Sequence, residues 1–254
     1  MRTQMPALVE MKELGLVFPA RIHRSGTLRD VFVKTLSHPI VTLFAAKQKL
    51  EVLSGVDMQI RRGDRIALIG INGAGKTSLC RAIAGFYKPT RGKLYVRGHV
   101  RAVFDTVVGI YPELTGRENA EILTDFLYPE LDSRAEKIAD ALEFAELGHF
   151  LDTPFKHYSN GMQARLCLSI LTMKETDVLI LDEVFEGADQ FFREKISARV
   201  LKMIEASGAV LFVSHNEEQL RRVCNRAIVL RHGKVAFDGP VEEGLDFYGN
   251  TNGN

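Results

Sequence analysis

The pattern of hydrophobic and polar positions divides the chain into short apolar runs and longer stretches with helical spacing. The apolar runs predict strands at residues 9–18, 56–60, 65–69, 178–182, 209–215 and 227–235. A helix is predicted over residues 78–85, separated from the third run by eight residues, and helical stretches separate the last three runs. Because strands that alternate with helices form βαβ units, the pattern predicts an α/β fold with a parallel sheet.

A helical region interrupts this α/β pattern between residues 112 and 173. Two capping-box patterns begin apolar-periodic runs within it, Thr115 with Glu118 and Ser133 with Glu136. In a capping box, the hydroxyl of the first residue accepts the N–H of the fourth, whose carboxylate accepts the N–H of the first. We therefore expect a helical subdomain at about residues 112–173, inserted into the α/β core.

The stretch over residues 19–49 is longer than the connection that two neighbouring strands need. Its apolar residues recur at helical spacing, at Leu28, Val31, Phe32 and Leu36. A proline at position 39 should end the helix. The segment is thus predicted to contain an amphipathic helix over residues 27–36, and periodicity alone favours packing on the protein's own core.

Composition excludes some classes of function. The 33 Lys and Arg nearly balance the 32 Asp and Glu, so the chain has no basic excess and no nucleic-acid partner is expected. Its three cysteines are far apart in sequence, which is typical of buried thiols rather than of a disulfide or zinc framework. The N-terminus is charged, and no run reaches the roughly 18 apolar residues that span a bilayer. We expect a cytoplasmic chain, and any membrane role must come through a partner.

A phosphate-binding loop lies between the strand at 65–69 and the helix that follows it. Its eight residues fit GxxxxGK[ST]: Gly70-Ile71-Asn72-Gly73-Ala74-Gly75-Lys76-Thr77. Glycines let the backbone curl so that N–H groups meet phosphate oxygens, and the helix adds its positive end. Lys76 would bridge the β- and γ-phosphates, and the Thr77 hydroxyl would bind Mg²⁺. The candidate nucleotide contacts are Gly70, Asn72, Gly73, Ala74, Gly75, Lys76, Thr77 and Ser78.

Two carboxylates end a later strand. Residues 178–181 are apolar, and Asp182 and Glu183 follow. In α/β folds, ligands bind at the carboxyl edge of the sheet, which would place Asp182 beside the phosphate loop as a Mg²⁺ ligand. Glu183 would act as the general base that handles the attacking water. The alternative for Glu183 is a solvated carboxylate at a strand end.

Further motifs resemble those of ATP-binding-cassette (ABC) proteins. The signature motif of that family resembles Tyr158-Ser159-Asn160-Gly161-Met162, its D-loop resembles Gly187-Ala188-Asp189, and its switch histidine resembles Ser214-His215. Phe18 matches the aromatic residue that stacks on adenine. The residue types alone make Ser159 a good helix N-cap. They fit His215 equally well as a histidine at the end of a strand and as a ligand of phosphate.

The resemblance implies a P-loop NTPase fold of the ABC-ATPase type, with an antiparallel β subdomain at the N-terminus and an inserted helical subdomain. It also implies a homodimer that sandwiches two MgATP. Ser159, Asn160 and Gly161 of one subunit would contact the γ-phosphate bound to the other. Asp189 would lie at the dimer interface, and His215 would contact the γ-phosphate.

Two positions depart from the family pattern. The family's Q-loop glutamine is replaced by Asp105, which follows Val103-Phe104. Its carboxylate could still reach Mg²⁺ or a water on it, although it is shorter than glutamine and charged. Met162 occupies the position of the signature glutamine, so a side-chain contact made there would be lost while the backbone contacts would remain.

Two longer strings resemble the ATPase subunits that export O-antigen, capsule or teichoic acid. They are PELTGREN at residues 112–119 and YSNGMQAR at residues 158–165. The resemblance implies a transport ATPase at the cytoplasmic face of the inner membrane, bound to two copies of a polytopic permease, with a lipid-linked polysaccharide as the transported substrate. We expect no carbohydrate-binding domain, which some members carry, within these 254 residues.

The same subfamily resemblance places the segment over residues 19–49 near the membrane entrance. There its basic residues could meet anionic lipid headgroups or a pyrophosphate-linked glycolipid: Arg21, Arg24, Arg29 and Lys34. Two alternatives for the whole chain stay open. One is the ATPase of a lipid or drug transporter, and the other is a soluble ABC ATPase that acts on ribosomes or DNA. Many of the latter carry two cassettes or a large coiled-coil insertion, and this sequence shows neither.

Overall fold

The computed structural model describes residues 6–19, 49–103, 109–182 and 199–252. Strands β1–β9 are Val9–Pro19, Lys49–Ile60, Arg65–Ile69, Arg91–Val96, Val100–Val103, Val178–Asp182, Ala209–Val213, Arg226–Arg231 and Lys234–Pro240. Helices α1–α6 are Lys76–Ile83, Gly116–Leu127, Arg134–Ala145, Asn160–Leu171, Glu217–Val223 and Val241–Asn252. Residues 199–206 are also helical, and short 3₁₀ turns cover Gly148–Asp152 and Phe155–His157.

The centre of the fold is a six-stranded sheet in the order β5-β6-β7-β3-β8-β9. All neighbouring pairs are parallel except β8 and β9. Every residue of β6 and β7 is buried, as strands covered on both faces should be. Side chains that alternate along β3 enter two different cores: Ala67 and Ile69 enter one, and Ile66 and Leu68 enter the other. The predicted α/β class is confirmed.

A second sheet lies on one side of this core. It is antiparallel, in the order β2-β1-β4, and its long partners β1 and β2 run from the pair Val9–Ile60 to the pair Pro19–Lys49. Buried residues of both strands, among them Leu14 and Leu53, pack in the same core as Leu79 of α1. The antiparallel N-terminal subdomain is therefore present, and it rests on the helix that follows the phosphate loop.

Helices α2, α3 and α4 lie between β5 and β6 in the chain. The predicted capping box at Thr115 is confirmed: its hydroxyl accepts the N–H of Glu118 at 3.2 Å, and the Glu118 carboxylate accepts the N–H of Thr115 at 2.8 Å. The box predicted at Ser133 is wrong. The Ser133 backbone is left-handed, with φ 52° and ψ 40°, and its side chain makes no cap hydrogen bond. An N-cap oxygen reaches the helix only from an extended backbone.

The predicted strand over residues 227–235 is two strands rather than one. β8 and β9 pair as a hairpin, and its turn residues His232 and Gly233 have φ values of 48° and 73°. Type I′ turns, which connect two strands through two residues, require positive φ at both of those residues. A His-Gly pair between two apolar runs was the signal for this turn.

Several predicted boundaries shift. β2 begins at Lys49 instead of residue 56, and α1 ends at Ile83 instead of residue 85. β7 ends at Val213 instead of residue 215, because the Ser214 hydroxyl accepts the N–H of Asn216 at 3.1 Å and turns the chain. α1 begins at Lys76 instead of residue 78, since the N–H of Leu79 already donates to the Gly75 carbonyl at 2.8 Å.

The amphipathic helix predicted over residues 27–36, with its basic residues, lies outside the described residues. Among the residues that the structure does describe, no helix is long and apolar enough to cross a membrane. Cys80, Cys167 and Cys224 are buried thiols, as expected. Burial raises the pKa of Cys167 and of Cys224 to about 12, so both thiols are protonated at neutral pH.

Candidate nucleotide-binding site

The phosphate loop connects β3 to α1, and close backbone contacts dictate its glycines. A Cβ at Gly70 would lie 2.5 Å from the carbonyl oxygen of Leu230. Gly75 has φ 104°, and a Cβ there would lie 3.0 Å from the carbonyl oxygen of Val52 in β2. Any other residue at these positions would push the loop away from β8 and β2, so the tight curl depends on both glycines.

The lysine of the loop is held inside the curl. Lys76 is 9% exposed, and its Nζ donates to the carbonyl oxygens of Gly70 at 2.7 Å and Ile71 at 3.3 Å. A nearly buried ammonium is costly unless polar groups surround it, and these carbonyls supply part of that surrounding. The loop thus holds a positive charge at its centre.

The outer side of the loop is open. Asn72, Gly73 and Thr77 are exposed and Ser78 is half-buried, whereas Ala74 and Gly75 are buried. Gly75 occupies the N-cap position of α1 and has no side chain with which to cap it. The first N–H groups of α1 are therefore available to an anion, and the helix dipole favours negative charge there.

Asp182 ends β6 on the same edge of the sheet. It is 9% exposed and pairs in register with Val213 of β7. Its proximity to the loop is shown by Cys80 of α1. Burial raises the pKa of the Cys80 thiol well above its ordinary value, the Asp182 carboxylate raises it further, and the Lys76 ammonium lowers it. The Cys80 thiol thus interacts with both charges, which indicates that Asp182 and Lys76 both lie near α1.

The end of β7 brings Ser214 and His215 to this edge. β7 lies between β6 and β3 in the sheet, so the residues that follow it emerge between Asp182 and the phosphate loop. His215 is exposed. The residues around it are fixed: the Ser214 hydroxyl lies 3.2 Å from Gln219 Oε1, and Asn216 caps α5 by accepting the N–H of Gln219 at 3.1 Å.

This capping pair was not predicted from the sequence, although the signal was present. An asparagine followed three residues later by glutamine, just before an apolar periodic run, is an N-terminal helix pattern.

Phe18 lies near the end of β1, paired with Leu50 of β2. Its half-buried ring meets the ring of Tyr87 at a centroid distance of 5.1 Å and an interplanar angle of 75°. Sequence reasoning identified Phe18 but missed Tyr87, which lies far away in the chain.

The signature residues begin α4. Ser159 has the extended backbone of an N-cap, with φ −66° and ψ 160°, and its hydroxyl accepts the N–H of Met162 at 3.3 Å. The predicted N-cap is therefore confirmed. Ser159 and Asn160 are exposed and Gly161 is half-buried. The start of α4 is thus an open helix N-terminus on the helical subdomain, whereas the phosphate loop is built on β3 and α1.

Three predicted site residues lie outside the part of the chain that the structure describes: Asp105, Glu183 and Asp189. Glu183 directly follows Asp182. Among the described residues, no group of three or more His, Cys, Asp and Glu side chains is arranged to hold a metal ion. Asp182 and Thr77 are the predicted metal ligands that the structure describes.

Comparison with known proteins identifies the relatives of this chain. A family model described as ABC transporter matches residues 53–186. The O-antigen export system ATP-binding protein RfbB of Klebsiella pneumoniae is 34% identical over 248 residues, which cover 96% of this chain and 98% of that protein. The teichoic acids export ATP-binding protein TagH of Enterococcus faecalis is 33% identical over 237 residues, covering 93% of this chain and 50% of that protein.

Among solved structures, the dimeric ATP-binding cassette MJ0796, in a post-hydrolysis state bound to ADP and Pi, superposes with a TM-score of 0.67. It is 21% identical, and the match covers 92% of this chain and 98% of that one. At this identity the likeness shows the fold. Together with the family model and the near full-length relatives, it leads to one conclusion: the chain belongs to the ABC transporter family, as one of its ATP-hydrolysing cassettes.

Proposed function

We propose that this chain is the ATPase subunit of an exporter that moves a lipid-linked surface polysaccharide across the inner membrane from its cytoplasmic face. The observation that carries the proposal is the 34% identity, over 96% of the chain, to a protein named for O-antigen export. A relative named for teichoic acids export supports the broader class, since it matches 93% of the chain. Both names refer to export of a surface polymer.

The described residues support ATP binding at the phosphate loop. Lys76 would contact the β- and γ-phosphates, and the N–H groups at the start of α1 would receive phosphate oxygens. The Gly70 and Ile71 carbonyls that hold the ammonium keep it in place before the nucleotide arrives. Preorganised charge of this kind stabilises a transferring phosphoryl group without reorganisation during the reaction.

The donor set near the loop fits Mg²⁺. Asp182 offers a carboxylate and Thr77 a hydroxyl, both hard oxygen ligands, and Mg²⁺ in such sites is commonly held by one or two carboxylates together with substrate phosphates. Mg²⁺ would neutralise charge on the phosphates when bound. Asp105 would add an oxygen ligand, directly or through water.

Hydrolysis would use the residues at the ends of β6 and β7. Glu183, which directly follows Asp182 in the sequence, would take the proton of the attacking water. His215 would donate to the γ-phosphate. The bonds among Ser214, Asn216 and Gln219 hold the short loop that carries this histidine.

The start of α4 supports a composite site in a dimer. Ser159, Asn160 and Gly161 would direct the N-terminus of α4 to the γ-phosphate bound by a second copy, and Asp189 would lie at the interface between the copies. The solved relative MJ0796 is a dimer. Two copies of a polytopic permease would complete the exporter, and Phe18 would stack on the adenine base.

The proposal is tested by deleting the gene in its source organism and measuring the glycan on the cell surface. We expect loss of a surface polysaccharide, with accumulation of its lipid-linked form inside the cell, and restoration by the wild-type gene but not by Lys76→Ala. A deletion strain with unchanged surface glycan would overturn the export assignment. Co-purification of a polytopic membrane protein separates a transporter ATPase from a cassette that acts on ribosomes.

A further inference from the structure

We propose that Tyr87 is a positioning residue for nucleotide binding, which holds the ring of Phe18 in the orientation that receives the adenine base. The inference rests on the proposed function, in which Phe18 stacks on adenine, and it adds a residue to that site. Three observations carry it: the ring contact between the two aromatics, the polar anchor of Tyr87, and the ties between the backbone near Tyr87 and β1.

The ring contact is of the attractive edge-to-face kind. The Phe18 and Tyr87 centroids are 5.1 Å apart and the rings are 75° from parallel. Such pairs are stabilised because the positive edge of one ring meets the negative face of the other. Phenylalanine has no polar atom, so packing alone selects its rotamer. Tyr87 is thus a neighbour that can fix the direction in which the Phe18 ring faces.

The far end of Tyr87 is anchored to α1. Its hydroxyl accepts a hydrogen bond from Nη1 of Arg81 at 3.2 Å, and Arg81 lies in the last turn of α1. α1 is the helix whose first turn carries the phosphate loop. A continuous chain of contacts therefore connects the phosphate-binding helix, through Arg81 and Tyr87, to the proposed base-binding ring.

The backbone on either side of this contact is tied together by Thr90. The N–H of Thr90 donates to the Gly15 carbonyl at 2.8 Å, and its hydroxyl accepts the N–H of Val17 at 3.1 Å. These bonds join the segment after Tyr87 to β1 directly beside Phe18. Both rings also pack against the same buried core. The pair is consequently built on fixed backbone rather than on a chance surface contact.

The test compares ligands that have and lack the base. Titration calorimetry on the purified chain measures Kd for ATP and for inorganic tripolyphosphate, which meets the phosphate loop but has no base. We expect Tyr87→Ala to raise Kd for ATP by about two- to tenfold, the value of one edge-to-face pair, and to leave Kd for tripolyphosphate unchanged. Tyr87→Phe keeps the ring and should recover most of the affinity.

A double-mutant cycle shows whether Tyr87 acts through Phe18. Once Phe18→Ala has removed the stacking ring, adding Tyr87→Ala should change Kd for ATP little further, because coupled residues are not additive. Tyr95→Ala is the matched control: it removes a tyrosine from β4, where Tyr95 pairs with Glu10 of β1, and it should leave both Kd values unchanged. If Tyr87→Ala does not fold, Tyr87→Leu keeps apolar volume without the ring.

The outcomes separate this inference from the proposed function. If Phe18→Ala leaves Kd for ATP unchanged, Phe18 does not bind adenine and both ideas fail at that residue. If Phe18→Ala weakens ATP binding but Tyr87→Ala does not, or if their effects add, only the positioning role is overturned. Equal weakening of ATP and tripolyphosphate by Tyr87→Ala would also overturn it, since that result indicates general loss of structure.

Discussion

Lys76 Nζ lies 2.7 Å from the carbonyl oxygen of Gly70, so the lysine of the phosphate loop is bonded to the residue that begins the loop. This bond closes the loop around its own cation. Gly70 in turn lies so close to Leu230 of β8 that a Cβ would clash with the backbone. The position of the ammonium is therefore set by the central sheet, through one glycine.

Lys76→Ala should abolish productive ATP binding. The substitution removes the charge that the loop encloses and leaves the triphosphate poorly compensated, and loss of one such preorganised group commonly reduces turnover by about 100-fold or more. We expect the Kd for ATP to rise to the millimolar range or above, or ATP turnover to fall by about 100-fold or more. The control is Lys202→Ala, which removes an exposed lysine outside the site. Equal ATP affinity in both variants would contradict the role of Lys76.

Glu183→Gln should separate binding from hydrolysis. Glutamine keeps the shape of glutamate but cannot accept the proton of the attacking water. The variant should bind MgATP normally, hydrolyse it very slowly, and accumulate as an ATP-bound dimer. Size-exclusion chromatography with and without MgATP, together with phosphate release, measures both properties. Near-normal phosphate release would show that another group activates the water.

Much of the core could be predicted because its signals are local. β3 and β6 have the predicted bounds, since each is an apolar run bounded by turn residues or charge. The phosphate loop is eight consecutive residues, so its motif alone identified Lys76, although the predicted helix began two residues later than α1 does. Periodicity and motifs are read within one short window, and these elements need nothing more.

The errors concern backbone conformation and contacts across the fold. Ser133 matches the capping-box pattern as well as Thr115 does, yet its backbone is left-handed and its side chain makes no cap hydrogen bond. The turn at His232 depends on positive φ values that a pattern of apolar residues does not encode. Tyr87 meets Phe18 only because β1 and the segment after α1 are joined by Thr90. The backbone of Ser133 and the contact between Tyr87 and Phe18 are not visible in a single window of sequence, whereas the His-Gly pair was a local signal that the apolar pattern obscured.

Gly116→Ala should destabilise the helical subdomain. A Cβ there would lie 2.1 Å from the Tyr158 hydroxyl oxygen, and that hydroxyl donates to the Phe150 carbonyl at 2.6 Å. Overpacking of this kind typically lowers the free energy of unfolding by about 1–3 kcal/mol. Tyr158 directly precedes Ser159, the proposed phosphate contact, so ATP turnover should also fall. Urea denaturation measures the stability.

Gly249→Ala is the matched control for Gly116→Ala. Gly249 lies in α6, and a Cβ there meets no atom within 4 Å. Alanine favours helix over glycine by up to about 1 kcal/mol, so this variant should be neutral or slightly more stable. If both glycine variants unfold at the same urea concentration, the contact with Tyr158 does not constrain the helical subdomain.

Replacing the basic residues Arg24, Arg29 and Lys34 by Gln should impair export while leaving ATPase activity intact. These residues would meet anionic headgroups or the pyrophosphate of a glycolipid, whose attraction depends on their charge. The measurements are surface glycan in cells and phosphate release by the purified chain. The control replaces three exposed basic residues elsewhere, Lys202, Arg222 and Lys234, by Gln. Unchanged export in the first variant would show that these basic residues do not act in export, and that the segment over residues 19–49 has only a packing role.

Composite sites can be tested by mixing two inactive variants. Lys76→Ala damages only the phosphate loop, and Gly161→Asp damages only the start of α4, where a carboxylate would repel the γ-phosphate. If each site combines the loop of one copy with the α4 N-terminus of the other, a mixed dimer has one site with both defects and one site with none. Each homodimer has a defect in both of its sites.

Mixing the two variants in equal amounts and allowing subunits to exchange should therefore restore activity that neither has alone. Half of the dimers would be mixed and each would hold one intact site, so recovery should reach at most about a quarter of wild-type turnover when the sites act independently. Phosphate release and ATP-dependent dimerisation are the measurements. If each site lay within a single chain, every site in the mixed dimer would keep its defect and no activity would return. If the mixture has no activity after subunit exchange has been verified, Ser159 and Gly161 of one copy do not contribute to the ATP site of the other.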